Sequence, residues 1–155
     1  MKHAIDWRLA LAIGGAAFAI PTGPTAAAGT TEHSETEQPQ CPDAQTTIDM
    51  NRCYANVLHR AEARRERYLA AAIAAQIDRP KLQTAIRKSS AAFAAYRDAE
   101  CGAVYEDWEE GTIRDVMALG CRIDLTDRRT HTIWANWLTY MDSTPPRLPE
   151  PEPTH

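Results

Sequence analysis

The segment Tyr96–Cys101 (YRDAEC) brings an aromatic ring, two opposite charges and a cysteine into less than two turns of a helix. Adjacent helical side chains point about 100° apart, so Arg97 and Asp98 are not expected to face each other, and each can reach another helix. Further charged and hydroxyl residues follow at Asp124, Thr126, Asp127, Arg128 and Arg129. We expect a network that fixes the helix register, formed by Arg97, Asp98, Thr126 and Arg129. A catalytic or ligand-binding site is the alternative.

The chain has four cysteines, Cys41, Cys53, Cys101 and Cys121. Their spacings of 12, 48 and 20 residues do not include the short Cys-x-x-Cys pairs that are typical of zinc sites. An even number of cysteines in an exported chain predicts two structural disulfides, and four cysteines can pair in three ways.

Few residues have the spacing that catalysis requires. His59 and Glu62 are three residues apart, as in di-metal helical bundles, but the second such motif and the additional glutamates are missing. No serine lies on a nucleophile-elbow pattern. The sequence therefore predicts a protein that is not an enzyme and that holds no metal ion or other cofactor.

The N-terminus has the parts of a secretory signal peptide. Two basic residues precede an apolar run at 9–20, which is too short to span a bilayer as a helix. Two prolines and three alanines follow, so we expect residues 1–28 to be cleaved off near Ala28. A buried N-terminal helix is the alternative. Cys41 does not follow the apolar run directly, so no membrane anchor is expected, and the predicted location is the periplasm or the cell exterior.

The charge balance restricts the partners. Removal of residues 1–28 takes away two of the 17 basic and one of the 21 acidic residues, so the formal net charge changes from −4 to −5. An acidic protein is a poor partner for nucleic acid and a better partner for a basic protein.

Irregular segments flank the predicted folded part. Residues 29–45 are polar and are expected to form a flexible leader, fixed where Cys41 bonds. Residues 142–155 contain five prolines, which exclude a helix or a central strand, so we expect an extended, solvated tail. A proline-rich ligand for a partner is the alternative.

Residues 46–141 predict an all-α fold, a small up-down-up bundle of about three helices joined by two disulfides. The helices are expected over residues 47–76, 80–109 and 113–140, with a capping box at Thr46 and Asp49 and further caps at Asp78 and Thr112. Apolar residues recur in steps near three and four: Met50, Tyr54, Val57, Ala61, Tyr68 and Ala72, then Leu82, Ile86, Phe93, Tyr96 and Val104, then Val116, Met117, Cys121, Leu125, Ile133, Trp137 and Leu138.

Three cysteines are expected at one level of this bundle. At about 1.5 Å per residue, Cys53 and Cys101 lie at similar distances from the first turn, and Cys101 and Cys121 from the second. Cys41 can reach the same level from the leader. Height alone therefore leaves Cys53–Cys101, Cys101–Cys121 and Cys53–Cys121 open as pairs.

Residues 105–112, which we call the acidic turn, join the second and third helices. We expect this turn to bind a protein partner through Tyr105, Glu106, Asp107, Trp108, Glu109 and Glu110. Acidic side chains steer a basic partner towards the surface, and aromatic side chains anchor it. The alternatives are a solvated turn and, for Trp108, packing in the core.

The first helix has a group of arginines on the face opposite its apolar residues. We interpret Arg64 and Arg67, with Arg60 and Glu66, as solvated charge. A small anion-binding patch formed by Arg64, Arg65 and Arg67 together is the alternative.

Four segments occur in an order that is typical of one family: Thr46–Cys53 (TTIDMNRC), Tyr96–Cys101 (YRDAEC), Gly111–Ile113 (GTI) and Cys121–Thr130 (CRIDLTDRRT). With the preceding Cys41, they resemble the exported bacterial LprI domain, which is best known from a lysozyme inhibitor. The resemblance spans about residues 41–138. It implies a helical, disulfide-bonded, periplasmic or secreted protein, in at least one relative able to inhibit lysozyme.

The sequence departs from the family pattern at three places. Arg64 and Arg65 lie where Leu-Asn is usual, Ser90 and Phe93 replace a Gln-x-x-Trp, and Glu110 precedes the turn glycine in place of a second glycine. The resemblance and the acidic turn together favour a binding module that inhibits a basic lysozyme or a related cell-wall hydrolase. A structural or stress-related envelope protein without a hydrolase target is the alternative.

Overall fold

A computed structural model describes residues 41–154. This part of the chain forms three helices and no strand, in the order α1 (Thr47–Ala74), α2 (Pro80–Asp107) and α3 (Arg114–Trp137). None of these helices is long and apolar enough to cross a membrane. The predicted all-α bundle with two disulfides is confirmed. The predicted signal peptide and most of the predicted leader lie outside the described residues.

The apolar core lies between α1 and α3. One cluster contains Tyr54, Val57, Val116 and Ile123, and the other contains Tyr68, Ala72, Ile133 and Leu138. On α1, the residues at the predicted helical period are buried, apart from the half-buried Met50. The spacing of apolar residues on α1 therefore predicted its buried face.

The second helix is attached differently. It packs against α3, whereas it meets α1 chiefly through long polar side chains. Its buried residues are only Ile86, Arg97 and Cys101. The prediction that Tyr96 lies on an apolar side is wrong, because 52% of this residue is exposed.

Of the three side-chain caps that the sequence predicted, only the one at Thr46 is present. The Thr46 hydroxyl accepts from the Asp49 N–H (3.1 Å), and the Asp49 carboxylate accepts from the Thr46 N–H (3.2 Å). The Thr46 hydroxyl also donates to the Asp49 carboxylate (2.7 Å), and this bond, more than the one from the Thr46 N–H, lowers the pKa of the Asp49 carboxyl. The caps predicted at Asp78 and Thr112 are wrong, because α2 and α3 start after Arg79 and Ile113 without a side-chain cap.

The disulfides join Cys41 to Cys53, with Cα atoms 6.2 Å apart, and Cys101 to Cys121, with Cα atoms 5.6 Å apart. The first links the described end of the leader to α1, and the second links α2 to α3. Cys41 also packs against the core cluster that contains Tyr54. Of the pairs that the sequence left open, only Cys101–Cys121 is present.

The C-terminal segment packs along α1 and α3, so the expectation of a solvated tail is wrong. The Tyr68 hydroxyl donates to the Pro149 carbonyl (2.8 Å), and the Trp134 indole N–H donates to the Leu148 carbonyl (2.9 Å). Leu148 adds to the core cluster around Tyr68. The segment is extended because of its prolines, and it leaves backbone carbonyls free to accept side-chain donors.

The same segment explains why Arg64 is not solvated charge. Its guanidinium forms an ion pair with Asp127 (3.1 Å) and donates to the Glu152 carbonyl, so only 20% of its side chain is exposed. Asp127 also accepts from the Thr154 N–H (2.7 Å) and hydroxyl (2.9 Å). This Arg64–Asp127 pair fixes the end of the described chain to the bundle.

Candidate partner-binding surface

The acidic turn lies at the end of the bundle where α2 gives way to α3. The Gly111 N–H donates to the Trp108 carbonyl (2.9 Å), which closes the turn. A Cβ atom at Gly111 would lie 3.3 Å from that same carbonyl oxygen, so glycine suits this position. The four acidic side chains of the turn are exposed: Glu106, Asp107, Glu109 and Glu110.

The two aromatic residues of the turn have different surroundings. Trp108 is 37% exposed, so the alternative in which it packs in the core is wrong. Tyr105 is half-buried, and the Arg114 guanidinium lies 3.7 Å from the centre of its ring. This cation–π contact holds the Tyr105 ring in place. Trp108 is therefore the more exposed of the two aromatic side chains.

A groove of about 310 Å³ adjoins the acidic turn between α2 and α3. Tyr105 and Leu119 give it apolar walls, and Glu106, Asp115 and Arg122 give it charged ones. Arg122 is already paired with the Asp98 carboxylate on α2 (2.8 Å). The groove therefore combines apolar surface with two carboxylates, which suits the aliphatic stem and charged end of a basic side chain.

The start of α1 belongs to the same end of the molecule, which the sequence reasoning missed. The Asn51 amide donates to the Asp115 carboxylate (3.4 Å), so the first turns of α1 and α3 are neighbours. Ile48, one turn before Asn51, is 70% exposed. The sequence did contain a signal, because Ile48 falls outside the apolar stripe that starts at Met50.

The predicted polar network is divided into two parts. Arg97 is buried and donates to Glu62 (2.9 Å) on α1 and to Thr126 (3.0 Å) on α3. Asp98 accepts from Arg122, and it also lies 3.8 Å from the Arg97 guanidinium, contrary to the expectation that these two neighbours do not meet. These contacts join all three helices at one level.

Arg129 does not share a hydrogen bond with the other three members of the predicted network. Its guanidinium donates instead to the Ser89 hydroxyl on α2 (2.9 Å). Burial, and secondarily the positive charge of Arg65, lower its pKa. Arg129 therefore belongs with Arg65 and Arg97, which also lie beside the Phe93 ring of α2.

Within residues 41–154, no group of three or more His, Cys, Asp and Glu side chains could hold a metal ion. Of the two residues with di-metal spacing, His59 is exposed, and the Glu62 carboxylate is engaged by Arg97.

Comparison with known families identifies the chain. The family model described as lysozyme inhibitor LprI matches residues 39–133, which is more than half of the sequence. The chain belongs to the LprI family. Comparisons with curated proteins and with solved structures gave no match.

The LprI match contains all four cysteines, the polar network and the acidic turn, and it ends before the C-terminal segment. The family is one of inhibitors, so it implies a protein partner and is consistent with a protein that is not an enzyme. The two disulfides are consistent with export to an oxidising compartment.

Proposed function

We propose that this protein inhibits lysozyme or a related cell-wall hydrolase in the periplasm or outside the cell, and that the acidic turn contacts the enzyme. The LprI family supports the class of target. The placement rests on one observation, which is an exposed Trp108 among exposed carboxylates. None of the four carboxylates of the turn has an ion-pair partner within the described chain.

The unpaired carboxylates suit a basic enzyme. Like charges that lie close together repel each other, and a basic partner relieves this repulsion while it accelerates encounter. Because these contacts form at an exposed surface, salt weakens them, with a Debye length of about 8 Å at 0.15 M ionic strength.

Trp108 and the adjoining groove provide the short-range contacts. A half-exposed tryptophan at a helix end offers a large apolar surface, and such residues often dominate binding energy. In this proposal, a lysine or arginine of the enzyme lies along Leu119 and Tyr105 and pairs with Glu106 and Asp115 at the mouth of the groove.

The test is inhibition of lysis of a peptidoglycan suspension by a basic lysozyme, measured with the oxidised protein at low and moderate salt. We expect inhibition that weakens as salt rises. The double variant Glu109→Lys with Glu110→Lys should inhibit more weakly than the unchanged protein at low salt, and its inhibition should depend less on salt. Trp108→Ala should weaken it about tenfold or more, which is the size of effect at a binding hot spot.

Two control variants outside the acidic turn test whether a loss of inhibition is specific to the turn. One changes the net charge and the other removes an aromatic side chain. Asp78→Lys with Glu152→Lys makes the same change in net charge at two exposed residues outside the turn. Tyr96→Ala removes an exposed aromatic side chain from the middle of α2. If these controls weakened inhibition as much as the turn variants, the acidic turn would not be the contact surface. Absence of inhibition at a large molar excess would contradict the proposed function.

A further inference from the structure

Three arginine side chains, one from each helix, surround the Phe93 ring of α2, and we call them the arginine layer. The guanidinium carbons of Arg65, Arg97 and Arg129 lie 5.9, 6.0 and 5.7 Å from the centre of the Phe93 ring. Each contact is a favourable cation–π interaction. Three positive charges around one half-buried ring also repel each other, so the layer requires negative charge nearby.

The carboxylates are distributed unequally over this arginine layer. Arg97 contacts Glu62 and Asp98, and Arg65 contacts Glu66, whose side chain is 62% exposed. Arg129 has no carboxylate within ion-pair distance in the described part of the chain.

The arginine layer also contains unused donors. In all three of its arginines the Nε atom is buried and without a hydrogen-bond partner within residues 41–154. Arg129 is the least compensated of the three, and its pKa is lowered by burial and then by the charge of Arg65. An arginine keeps its proton at physiological pH, so the charge remains there to be matched.

Two serine hydroxyls lie beside Arg129 and Arg65. Ser89 accepts from Arg129 (2.9 Å), and Ser90 accepts from Arg65 (3.3 Å). A hydroxyl that accepts a hydrogen bond still has its own hydrogen to donate, and neither serine donates to another group of residues 41–154. Ser89 is exposed and Arg129 is half-buried, so the group can be reached from solvent. Two guanidinium groups, each bonded to one of two consecutive serines, thus lie beside the Phe93 ring, and the group borders solvent at Ser89.

We propose that Arg65, Arg129, Ser89 and Ser90 form a binding site for a phosphate oxyanion, either free inorganic phosphate or the phosphate of a lipid headgroup. The planar guanidinium matches phosphate oxygens in pairs, and phosphate has enough acceptors for two arginines and two hydroxyls. Arg65, Ser90 and Phe93 lie where the sequence departs from the family pattern, so the site is not part of what the resemblance implies. It is also independent of the proposed inhibition, because its residues are distinct from the acidic turn.

The first measurement is the melting temperature and the heat of binding of the full oxidised protein as inorganic phosphate replaces chloride at constant ionic strength. We expect a saturable rise in melting temperature and a saturable heat. Co-sedimentation with phosphatidylglycerol vesicles, compared with neutral vesicles, tests the second source. Binding of inorganic phosphate or of phosphatidylglycerol vesicles supports the site and shows which form of phosphate it takes. Binding of neither overturns the proposal.

Variants at the site decide whether the binding is specific. Arg129→Gln should bind phosphate about tenfold more weakly or worse, because it loses both a charge and charge-assisted hydrogen bonds. Arg128→Gln is the matched control, since this neighbouring arginine is 65% exposed and pairs with Asp124. It should bind as the unchanged protein does.

A second variant guards against a change in folding. Ser89→Ala removes one exposed hydroxyl, and we expect phosphate binding to weaken by about threefold to tenfold. The quantity compared is the phosphate-dependent rise in melting temperature, so a shift in the starting stability does not affect the conclusion. Equal phosphate affinity in the unchanged protein, Arg129→Gln and Ser89→Ala would overturn the proposed site.

Discussion

The two interfaces of α3 are built from different chemistry. Towards α1, α3 contributes Ile123 and Ile133 to apolar clusters that also contain Tyr54 and Tyr68. Towards α2, the contacts are a disulfide at Cys101, the buried Arg97, and hydrogen bonds from arginine side chains. Apolar burial thus holds one pair of helices, and a covalent bond with polar contacts holds the other.

This difference explains where the molecule has room for binding. An apolar interface excludes water and polar ligands, so the α1–α3 pair has a structural role. The second helix buries only three of its side chains, and both the groove beside α3 and the arginine layer lie along it. Both candidate binding surfaces therefore lie along α2 rather than in the apolar core.

The largest expected effect comes from a matched pair of isoleucines. Ile133 and Ile86 are 1% and 2% exposed, but only Ile133 belongs to an apolar cluster. We expect Ile133→Ala to lower the free energy of unfolding by about 3–4 kcal/mol and Ile86→Ala by about 2 kcal/mol, because Ile133 loses contacts with an apolar cluster and a cavity outside such a cluster collapses more easily. Urea denaturation followed by circular dichroism measures both. Equal losses would mean that α2 is packed as tightly as the interface between α1 and α3.

The next largest effect concerns the disulfide that joins α2 to α3. Replacing Cys101 and Cys121 with serine should lower the free energy of unfolding by about 3 kcal/mol, the size expected for a closed loop of this length. The loop between Cys41 and Cys53 is shorter, 12 residues against 20, and loop entropy alone makes the two losses differ by only about 0.5 kcal/mol.

Hydrogen exchange locates that effect on the structure. In the variant without Cys101–Cys121, amides of α2 should exchange faster, while amides of α1 and α3 around Tyr68 and Ile133 remain protected. Uniform loss of protection in all three helices would show that α2 is not the separately held element that the comparison requires.

The difference between the two interfaces also explains which buried residues the sequence could predict. On α1, the helical period predicted Tyr54, Val57 and Tyr68 as buried, because one apolar face meets one apolar partner. On α2, the same rule failed at Tyr96, because this helix has few apolar partners and much of its surface contacts solvent. Periodicity predicts burial only where another apolar surface is present to cover it.

Features of the candidate surfaces that depend on how distant segments meet could not be predicted from the sequence. The acids of the turn and their exposure followed from their type and position, whereas the exposure of Trp108 depends on how the turn closes through Gly111. The disulfide pairing depended on the path of the leader, which height in the bundle does not define. The partner of Arg129 lies 40 residues away on another helix, and no local pattern joins it to Ser89.

The smallest expected effect concerns two glycines that lie inside helices, one on α2 and one on α3. A Cβ atom at Gly102 on α2 would have no atom within 4 Å, whereas one at Gly120 on α3 would lie 3.5 Å from the Tyr54 ring on α1, an ordinary contact distance. Alanine is favoured over glycine in a helix interior by up to about 1 kcal/mol. We therefore expect both Gly102→Ala and Gly120→Ala to raise the melting temperature by several degrees.

The two glycine substitutions differ in whether their gain in stability depends on packing against another helix. Gly102→Ala should stabilise the protein through helix propensity alone, so its gain should persist when Cys101 and Cys121 are replaced with serine. Gly120→Ala adds a contact with Tyr54 across the α1–α3 interface, so its gain should fall when Tyr54 is replaced with alanine. Differential scanning calorimetry of these double variants gives the coupling. A loss of stability in Gly102→Ala would mean that another segment covers this part of α2, and the contrast between the two interfaces would then be weaker than the contacts of α2 indicate.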